Sequence, residues 1–461
     1  MQSSKKYAQL APIHFVGVAG TGMSALAQFM AMNGLAVSGS DRLFDQSSKT
    51  VVQTQLEALA ITCVPQDGNH IPANTKTLVI SSAIEKDNLE LVAAQKMGIE
   101  VIHRSELLGR ISDEHRTIAV SGTSGKSSTT AMIFETLSHA GIDLSMITGA
   151  GTTQLAQKGY IGNAWAGKSD LLVIEADESD GTLVRYSPEI GLILNIDKDH
   201  KDISELTQLF TTFRSQTQHL IVNAGHALST RLSQNQRFDF GQDANCGFFG
   251  KEYTQKEWSI QFKCCDVLFT LPSPGHHNME NALATIAVAH YLKLDLQKVA
   301  EGLAQFSGIH RRHTRLVEHN QITLIDDYAH NPAKVAAAIR SCQFENRRVL
   351  AWFQPHGFGP TRFLRNDFVT EICSALRLQD QIFFSEIYYA GGTVVRDISA
   401  NDLIQDMKTI GAQAHFYENR ADFAQAIVQM AQPTDVILLM GARDPSLEQF
   451  GLEVKELLIK T

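Results

Sequence analysis

The 461-residue sequence predicts an α/β protein of three domains, each built around a mostly parallel sheet. The chain is about three times as long as an ordinary domain of roughly 150 residues. Three segments each open with a short apolar strand, and the first two of these strands run into a glycine-rich turn and a helix. Strands then alternate with helices, which is typical of a parallel, doubly wound sheet.

The domains are expected at residues 1–110, 111–312 and 313–461. Expected strands in chain order are 13–17, 35–38, 77–81 and 100–102, then 116–120, 171–175 and 190–195, then 322–326, 347–353, 381–384 and 435–440. Helical spacing of apolar residues predicts helices at 23–33, 88–97, 127–140 and 402–410. The stretch 236–270 alternates polar and apolar residues, which predicts a small antiparallel addition to the second domain.

Composition excludes several classes of protein. The formal charge is -9 without a run of like charges, so neither nucleic acid nor an anionic membrane surface is expected as a partner. No apolar run approaches the roughly 18 residues of a membrane span, and the polar N-terminus lacks the core of a signal peptide. Six scattered cysteines without a Cys-x-x-Cys pair favour a reducing compartment. A cytoplasmic protein without membrane insertion is expected.

A glycine-rich run in the second domain is the strongest motif. Residues 121–129 read Ser-Gly-Thr-Ser-Gly-Lys-Ser-Ser-Thr, between a strand and a helix, which is the setting of a phosphate loop. Glycines let successive N–H groups point into one concavity, and the helix N-terminus adds positive potential. Lys126 supplies a full charge to the β- and γ-phosphates, and the Ser127 hydroxyl can bind Mg²⁺. The motif predicts a nucleoside-triphosphate site without indicating the reaction.

Acidic residues follow two further strands of this domain. Glu175 begins a run of four acids in six residues after a buried strand, and Asp197, Asp199 and His200 follow the next strand. The carboxyl ends of parallel strands share one sheet edge, so these groups are expected beside the phosphate loop. Because such crowded like charges favour a bound cation, we predict that Glu175 and His200 hold a divalent ion or position the γ-phosphate. Helix capping by residues 177–180 is the alternative.

Together these motifs resemble those of the Mur ligases and occur in the same order. The matching stretches are 122–130, 175–180, 199–200, 275–278 with 281–282, and 326–332. Within that family, residues 13–24, 38–41 and 81–84 resemble members that join UDP-N-acetylmuramate to L-alanine. The resemblance implies a Rossmann-like N-terminal domain for the UDP-sugar, a central P-loop ATPase domain, and a Rossmann-like C-terminal domain for the amine donor.

The implied activity is an ATP-dependent ligation in peptidoglycan precursor synthesis, in which the sugar carboxylate becomes an acyl phosphate that the amine attacks. Mg²⁺, or Mn²⁺, is the implied metal, and a monomer or homodimer is expected. The small-molecule substrates would be UDP-N-acetylmuramate, ATP and an amino acid, L-alanine first, or a short peptide.

The resemblance also implies roles for single residues. The implied catalytic residues are Lys126, Glu175 and His200, and the implied metal ligands are Ser127, Glu175 and His200. The implied ATP-binding residues are Gly122, Thr123, Ser124, Gly125, Lys126, Ser127, Ser128, Asn278, Asn281, Arg312 and Asp327. The implied UDP-sugar-binding residues are Gly20, Thr21, Gly22, Met23, Asp41, Ser81 and Ser82. The amine donor is expected at Tyr328, His330 and Arg362.

Three places in the third domain depart from the alanine-adding members. Asn331 stands where those members usually carry a second histidine. After His356 they usually place an arginine-rich loop that grips the carboxylate of the amino acid, whereas this chain retains only Arg362, displaced along the loop. The sequence Gly-Ala-Arg-Asp-Pro at 441–445 replaces a glycine-rich ending, and Arg443 is an alternative source of the missing charge. The motifs indicate the ligase class, but they do not identify the amine donor.

An oxidoreductase is the first alternative. Gly17, Gly20 and Gly22 with Asp41 imitate a nicotinamide-binding fingerprint. The glycines are spaced G-x-x-G-x-G instead, and no residues for hydride transfer accompany them. UDP-dependent quenching of intrinsic fluorescence without an effect of NADH would exclude this function.

Two further alternatives assume the same bound UDP-sugar and ATP but a different function. A non-catalytic sensor of nucleotide-sugar and ATP would have no need of Lys126, Glu175 and His200, all of which are present. A recycling ligase would attach a preformed tripeptide to the same UDP-sugar, and Gly357 and Gly359 would leave room for that larger donor.

Overall fold

The computed structural model describes residues 6–45, 49–178, 181–197, 202–242, 245–389, 395–444 and 446–461. Two compact units make up the chain, Met1–Ile309 and His310–Thr461. The first unit contains two mostly parallel sheets, and the second contains one. The predicted α/β fold class with parallel sheets is confirmed. The predicted boundary near residue 110 falls within a helix at Arg104–Asp113, and the three domain ranges stay predictions.

The first sheet is wholly parallel, with the order β3-β2-β1-β4-β5. From β1 the chain crosses to β2 and β3, and then returns to β4 on the other side of β1. The gap between β1 and β4 is therefore a topological switch point, where ligands bind in open α/β sheets. Its elements are β1 (Ile13–Val16), α1 (Thr21–Met32), β2 (Val37–Ser40), α2 (Val51–Ala58), β3 (Thr62–Val64), β4 (Thr77–Ile80), α3 (Leu89–Met97), β5 (Glu100–His103) and α4 (Arg104–Asp113).

Strand β2 lies two residues later than the sequence predicted. The predicted strand, 35–38, ends before Gly39. The structure includes Gly39 in β2, and a side chain is excluded there because the turn after β1 approaches closely. A Cβ at that position would lie 2.6 Å from the Cβ of Val18.

The second sheet has the order β11-β10-β6-β9-β7-β8, and only β8 runs antiparallel to its neighbour. Alternate residues of β6 and β9 are buried on opposite faces: Ala119 and Leu172 on one, Ile118 and Val173 on the other. Burial on both faces explains the continuous apolar strands. The elements are β6 (Arg116–Ser121), α5 (Lys126–His139), β7 (Ser145–Ile147), α6 (Thr153–Ala156), β8 (Ala164–Trp165), β9 (Leu171–Glu175), β10 (Ile190–Ile193), α7 (Ile203–Gln216) and β11 (His219–Val222).

Smaller strands and two helices complete the first unit. The predicted antiparallel addition is present as β14-β15-β16, but β12 and β13 pair in parallel, which the alternating pattern did not indicate. The six cysteines are free, and Cys264 is buried while Cys265 is exposed. These elements are β12 (Phe240–Gly241), β13 (Phe248–Phe249), β14 (Lys251–Lys256), β15 (Ser259–Cys264), β16 (Val267–Leu271), α8 (His276–Tyr291) and α9 (Leu296–Ala304).

The sheet of the second unit has the order β17-β18-β22-β19-β20-β21, with only β17 antiparallel. Its core centres on Trp352, whose ring lies 4.8 Å from that of Phe450 and whose indole N–H donates to Ser385 at 3.0 Å. The elements are β17 (Thr314–His319), β18 (Ile322–Asp327), α10 (Pro332–Ser341), β19 (Val349–Gln354), α11 (Phe358–Phe363), α12 (Arg365–Ala375), β20 (Gln381–Ser385), α13 (Ala400–Thr409), β21 (Ala414–Tyr417), α14 (Arg420–Met430), β22 (Val436–Gly441) and α15 (Leu447–Lys460).

No helix in the described part of the chain is both long and apolar enough to cross a membrane.

Candidate active site

The phosphate loop (residues 122–128) connects β6 to the first turn of α5. Gly122 and Gly125 have φ values of 138° and 86°, which favour glycine and curl the backbone. Lys126 donates from Nζ to the Gly122 carbonyl at 2.8 Å and to Glu178 Oε2 at 2.9 Å. Burial disfavours the charged form of Lys126, but the neighbouring carboxylates, Glu178 first, outweigh it and raise the pKa of the ammonium. A partly buried, charged lysine is thus held over the loop.

Glu175 ends β9 directly beside this lysine. Its carboxylate accepts hydrogen bonds from the Ser127 hydroxyl at 2.9 Å, the Thr148 hydroxyl at 2.9 Å and the Gly149 N–H at 2.8 Å. The predicted convergence of Lys126, Ser127 and Glu175 on one sheet edge is therefore present. Hydroxyl and carboxylate oxygens are the donors that Mg²⁺ prefers, so the residues fit this ion.

The third predicted metal ligand, His200, lies outside the described residues. Within the described ranges, no three His, Cys, Asp or Glu side chains form a group that could hold a metal. The acids after β9 are balanced instead by Lys126, which lies 3.7 Å from Asp177 and 2.9 Å from Glu178.

Helix α8 places its asparagines against the loop. Asn281 Oδ1 accepts from the Thr129 hydroxyl at 3.1 Å, and a Cβ at Gly125 would lie only 2.8 Å from this oxygen. The amide of Asn281 also donates to Asn278 Oδ1 at 3.4 Å. Asn281 therefore lies next to the phosphate loop, although it is 152 residues from Thr129 in sequence, and Asn278 is linked to the loop through Asn281.

Asn195 is a loop contact that the sequence analysis missed. Its Oδ1 accepts from the Ser124 N–H at 2.7 Å and from the Thr123 hydroxyl at 2.8 Å, while its amide donates to the Ser124 carbonyl at 3.1 Å. The predicted strand 190–195 ends earlier, at Ile193, so Asn195 belongs to the sheet edge. A polar residue just beyond a buried strand that neighbours β6 was the available signal. Thr148 was missed in the same way, since it follows the short strand β7.

The residues expected to bind the UDP-sugar gather at the switch point of the first sheet. Asp41 follows β2 and accepts from the Ala19 N–H at 3.0 Å, which fixes the turn before α1. Gly20 is the N-cap of α1, where backbone N–H groups favour an anion. Ser81 and Ser82 follow β4 across the gap, and Thr21 and Gly22 open α1. Met23 packs into the core with 4% exposure, and its role stays a prediction.

The second unit carries the remaining predicted residues. Arg311 forms an ion pair with Asp326 at 2.8 Å, and Asp327 accepts from the backbone N–H groups of His313 and Ala329, each at 2.7 Å. Both acids at the end of β18 are therefore engaged, mainly by the 311–313 loop that precedes β17. The guanidinium groups of Arg311 and Arg312 each lie 5.4 Å from the centre of the Tyr328 ring.

Two histidines lie at the same edge of this sheet. The rings of His330 and His356 are 5.9 Å apart. The Nδ1 of His330 donates to the Tyr328 carbonyl at 2.9 Å, which leaves Nε2 as an acceptor. Burial, then the charges of Lys334 and Arg312, lower the pKa of His330 to about 4. Burial and Arg443 lower the pKa of His356 as well, so both rings are uncharged at neutral pH.

Arg362, expected to bind the amine donor, already has partners. Its guanidinium forms an ion pair with Asp397 and donates to the Val395 carbonyl at 3.1 Å. Its role in donor binding stays a prediction.

Three family models match the chain in order. They are the Mur ligase family catalytic domain at residues 12–116, the Mur ligase middle domain at 120–289, and the Mur ligase glutamate ligase domain at 311–443.

Relatives and a solved structure agree with these models. UDP-N-acetylmuramate–L-alanine ligase of Gloeobacter violaceus is 33% identical and aligns over 93% of this chain and 92% of its own. The enzyme of the same name from Pelotomaculum thermopropionicum is 32% identical over 94% of this chain and 95% of its own. The crystal structure of UDP-N-acetylmuramate-alanine ligase from Thermotoga maritima matches with a TM-score of 0.80 and 26% identity, over 96% of this chain and 98% of that chain. The chain therefore belongs to the Mur ligase family, whose members are ATP-dependent ligases.

Proposed function

We propose that this chain joins the carboxylate of UDP-N-acetylmuramate to the amine of L-alanine, using ATP, in peptidoglycan precursor synthesis. The observation that carries the proposal is the convergence of Lys126, Ser127 and Glu175 at one edge of the second sheet. Relatives named UDP-N-acetylmuramate–L-alanine ligase, 32–33% identical over nearly the full length, support this choice of substrates.

The chemistry follows from the poor reactivity of a carboxylate towards amines. An oxygen of the sugar carboxylate attacks the γ-phosphorus of ATP, and ADP leaves with the electrons of the broken P–O bond. The amine then attacks the acyl phosphate carbonyl and loses a proton, and the tetrahedral intermediate expels inorganic phosphate. Both steps concentrate negative charge, which a preorganised cation stabilises.

The residues divide this work by position. Lys126 binds the phosphates at the N-terminus of α5, where the helix dipole also favours an anion. Asn195 holds that loop in shape, and Asn281 borders it on the side of α8. Ser127 and Glu175 would hold Mg²⁺, which supplies charge neutralisation at the phosphates when bound. The switch point of the first sheet, with Gly20 and Asp41, is proposed for the UDP-sugar.

The roles of His200, Arg312, Asp327 and Arg362 stay proposals on the family resemblance alone. The same holds for a monomeric or dimeric state and for a cytoplasmic location.

The test is ADP and phosphate release from ATP with UDP-N-acetylmuramate and a panel of amine donors. The panel contains L-alanine, glycine, L-serine and the tripeptide L-alanyl-γ-D-glutamyl-meso-diaminopimelate. Release with L-alanine, matched by formation of the amide product, supports the proposal. Release with the tripeptide alone would replace L-alanine synthesis with the recycling activity, and release with neither would remove both.

A further inference from the structure

Three neighbouring strands of the second unit end at the same level. Strand β22 lies between β18 and β19, and Met440 pairs with Asp327 on one side and Phe353 on the other. Three positions beyond this row, past the ends of the strands, lie His330, Arg443 and His356. They are neighbours there, since the rings of His330 and His356 are 5.9 Å apart and the charge of Arg443 acts on His356. We call these three residues the His330–Arg443–His356 cluster.

Two polar side chains of the cluster have no partner among the described residues, and the Oε1 of Gln354 at the end of β19 is also buried without one. The Nδ1 of His356 is buried without a hydrogen-bond partner among the described residues. The guanidinium of Arg443 is exposed and makes no ion pair or hydrogen bond within the same ranges. The next acid, Asp444, cannot neutralise it, because Asp444 pairs with Arg420 at 3.0 Å.

The charges around the cluster favour an anion. Positive charge from Lys334 and Arg312 acts on His330, and Arg443 acts on His356. The acids Asp326 and Asp327 are engaged by the 311–313 loop, as described above. The imidazoles themselves are uncharged, so they can donate or accept hydrogen bonds without adding a desolvation cost for a second buried charge.

We propose that Arg443 binds the carboxylate of the amine donor and that His356 donates a hydrogen bond from Nδ1 to the same carboxylate. A guanidinium fork pairs bidentately with a carboxylate, which fixes its orientation as well as its position. The Nε2 of His330 then accepts a hydrogen bond from the donor's amino group. This inference rests on the proposed function, and it assigns the role expected of the missing arginine-rich loop to a residue that follows another strand, β22.

Arg443→Gln tests the inference, with Arg315→Gln as the control and Arg362→Gln as the rival position. In Arg443→Gln, KM for L-alanine is expected to rise at least about 10-fold, while KM for ATP stays within about 2-fold. Arg443→Lys should recover part of the loss, because a point charge remains without the fork. Arg315→Gln should leave KM for L-alanine within about 2-fold, since Arg315 only forms an exposed pair with Glu318 at 3.5 Å.

A comparison with L-alaninamide separates carboxylate binding from general damage. Wild type should discriminate against this analogue, which lacks the negative charge of the carboxylate, and Arg443→Gln should lose most of that discrimination. An equal loss towards L-alanine and L-alaninamide overturns the inference. A rise in KM for L-alanine in Arg362→Gln with none in Arg443→Gln also overturns it, and would place the donor carboxylate at Arg362.

A binding measurement tests the His330–Arg443–His356 cluster separately from the proposed function, because it does not require turnover. If wild type releases no phosphate with any donor, the proposed function fails and the cluster is judged by NMR of its imidazole nitrogens. A shift of the His356 resonance on titration with L-alanine, lost in Arg443→Gln, supports the inference. No shift in wild type overturns it.

Discussion

The carboxyl edges of the second and third sheets differ in how their polar side chains are partnered. We call the edge of the second sheet the closed edge and that of the third sheet the open edge. At the second sheet the polar groups bind one another: Lys126 with Glu178, Ser127 with Glu175, and Asn195 with the loop backbone. At the third sheet the acids are neutralised nearby, while Arg443 and the Nδ1 of His356 are left without partners in the described chain.

The difference concerns preorganisation. A loop whose groups are held by each other keeps its shape without a ligand and needs little rearrangement to receive one. An open cluster leaves buried polar groups unsatisfied, which costs free energy until a matching ligand binds. Activity at the closed edge is therefore expected to depend on the charge of its residues. Binding at the open edge is expected to depend on the chemical groups of the ligand.

Removing the central charge of the closed edge should give the largest effect. Lys126→Ala is expected to lower kcat for ATP-dependent ligation by about 1,000-fold, because the transferred phosphoryl group loses its cation. Affinity for the UDP-sugar, measured by calorimetry, should not change. Lys251→Ala is the control, since Lys251 forms an exposed pair with Asp266. Turnover of Lys126→Ala within about 10-fold of wild type would contradict the role of the lysine.

The uncharged histidines of the open edge should make the second unit sensitive to acid. His330 has a folded-state pKa of about 4, below the ordinary value of 6.5, so protonation favours the unfolded state. Its contribution is complete above about pH 6.5 and is lost as the pH falls towards 4, by on the order of 3 kcal/mol in total.

His330→Gln should flatten this pH dependence, as measured by hydrogen exchange of β18, β19 and β22 between pH 7 and pH 4.5. His319→Gln, at the opposite edge of the same sheet, should follow wild type. Equal slopes for wild type and His330→Gln would show that the ring is not held uncharged, and would weaken the contrast between the two edges.

Loosening the closed edge without changing its charge should give the smallest effect. Asn195→Ala removes the hydrogen bonds to Ser124 and Thr123, and KM for ATP is expected to rise about 10-fold. Titration with a fluorescent ATP analogue compares the nucleotide affinity of Asn195→Ala with that of wild type. Asn33→Ala is the control, because the Asn33 amide bonds only its own helix, at Phe29. An unchanged KM in Asn195→Ala would mean that the loop keeps its shape without the support of Asn195.

Much of the closed edge could be predicted from the sequence because its parts are local. The phosphate loop is one continuous motif between a strand and a helix, and Glu175 directly ends a recognisable buried strand. The fold class followed from the alternation of strands and helices, which reflects burial of parallel sheets on both faces. The limits of β2 did not, because the close approach of Val18 to Gly39 is a tertiary contact.

The sequence by itself determined the α/β class, the phosphate loop and the acid beside it, since strand periodicity and glycine turns are properties of adjacent residues. Only the tertiary structure decided that Asn195 supports the loop and that Arg362 is paired with Asp397. It alone brought His330, Arg443 and His356 to one level. These residues are far apart in the chain, and only the order and register of β18, β22 and β19 make them neighbours.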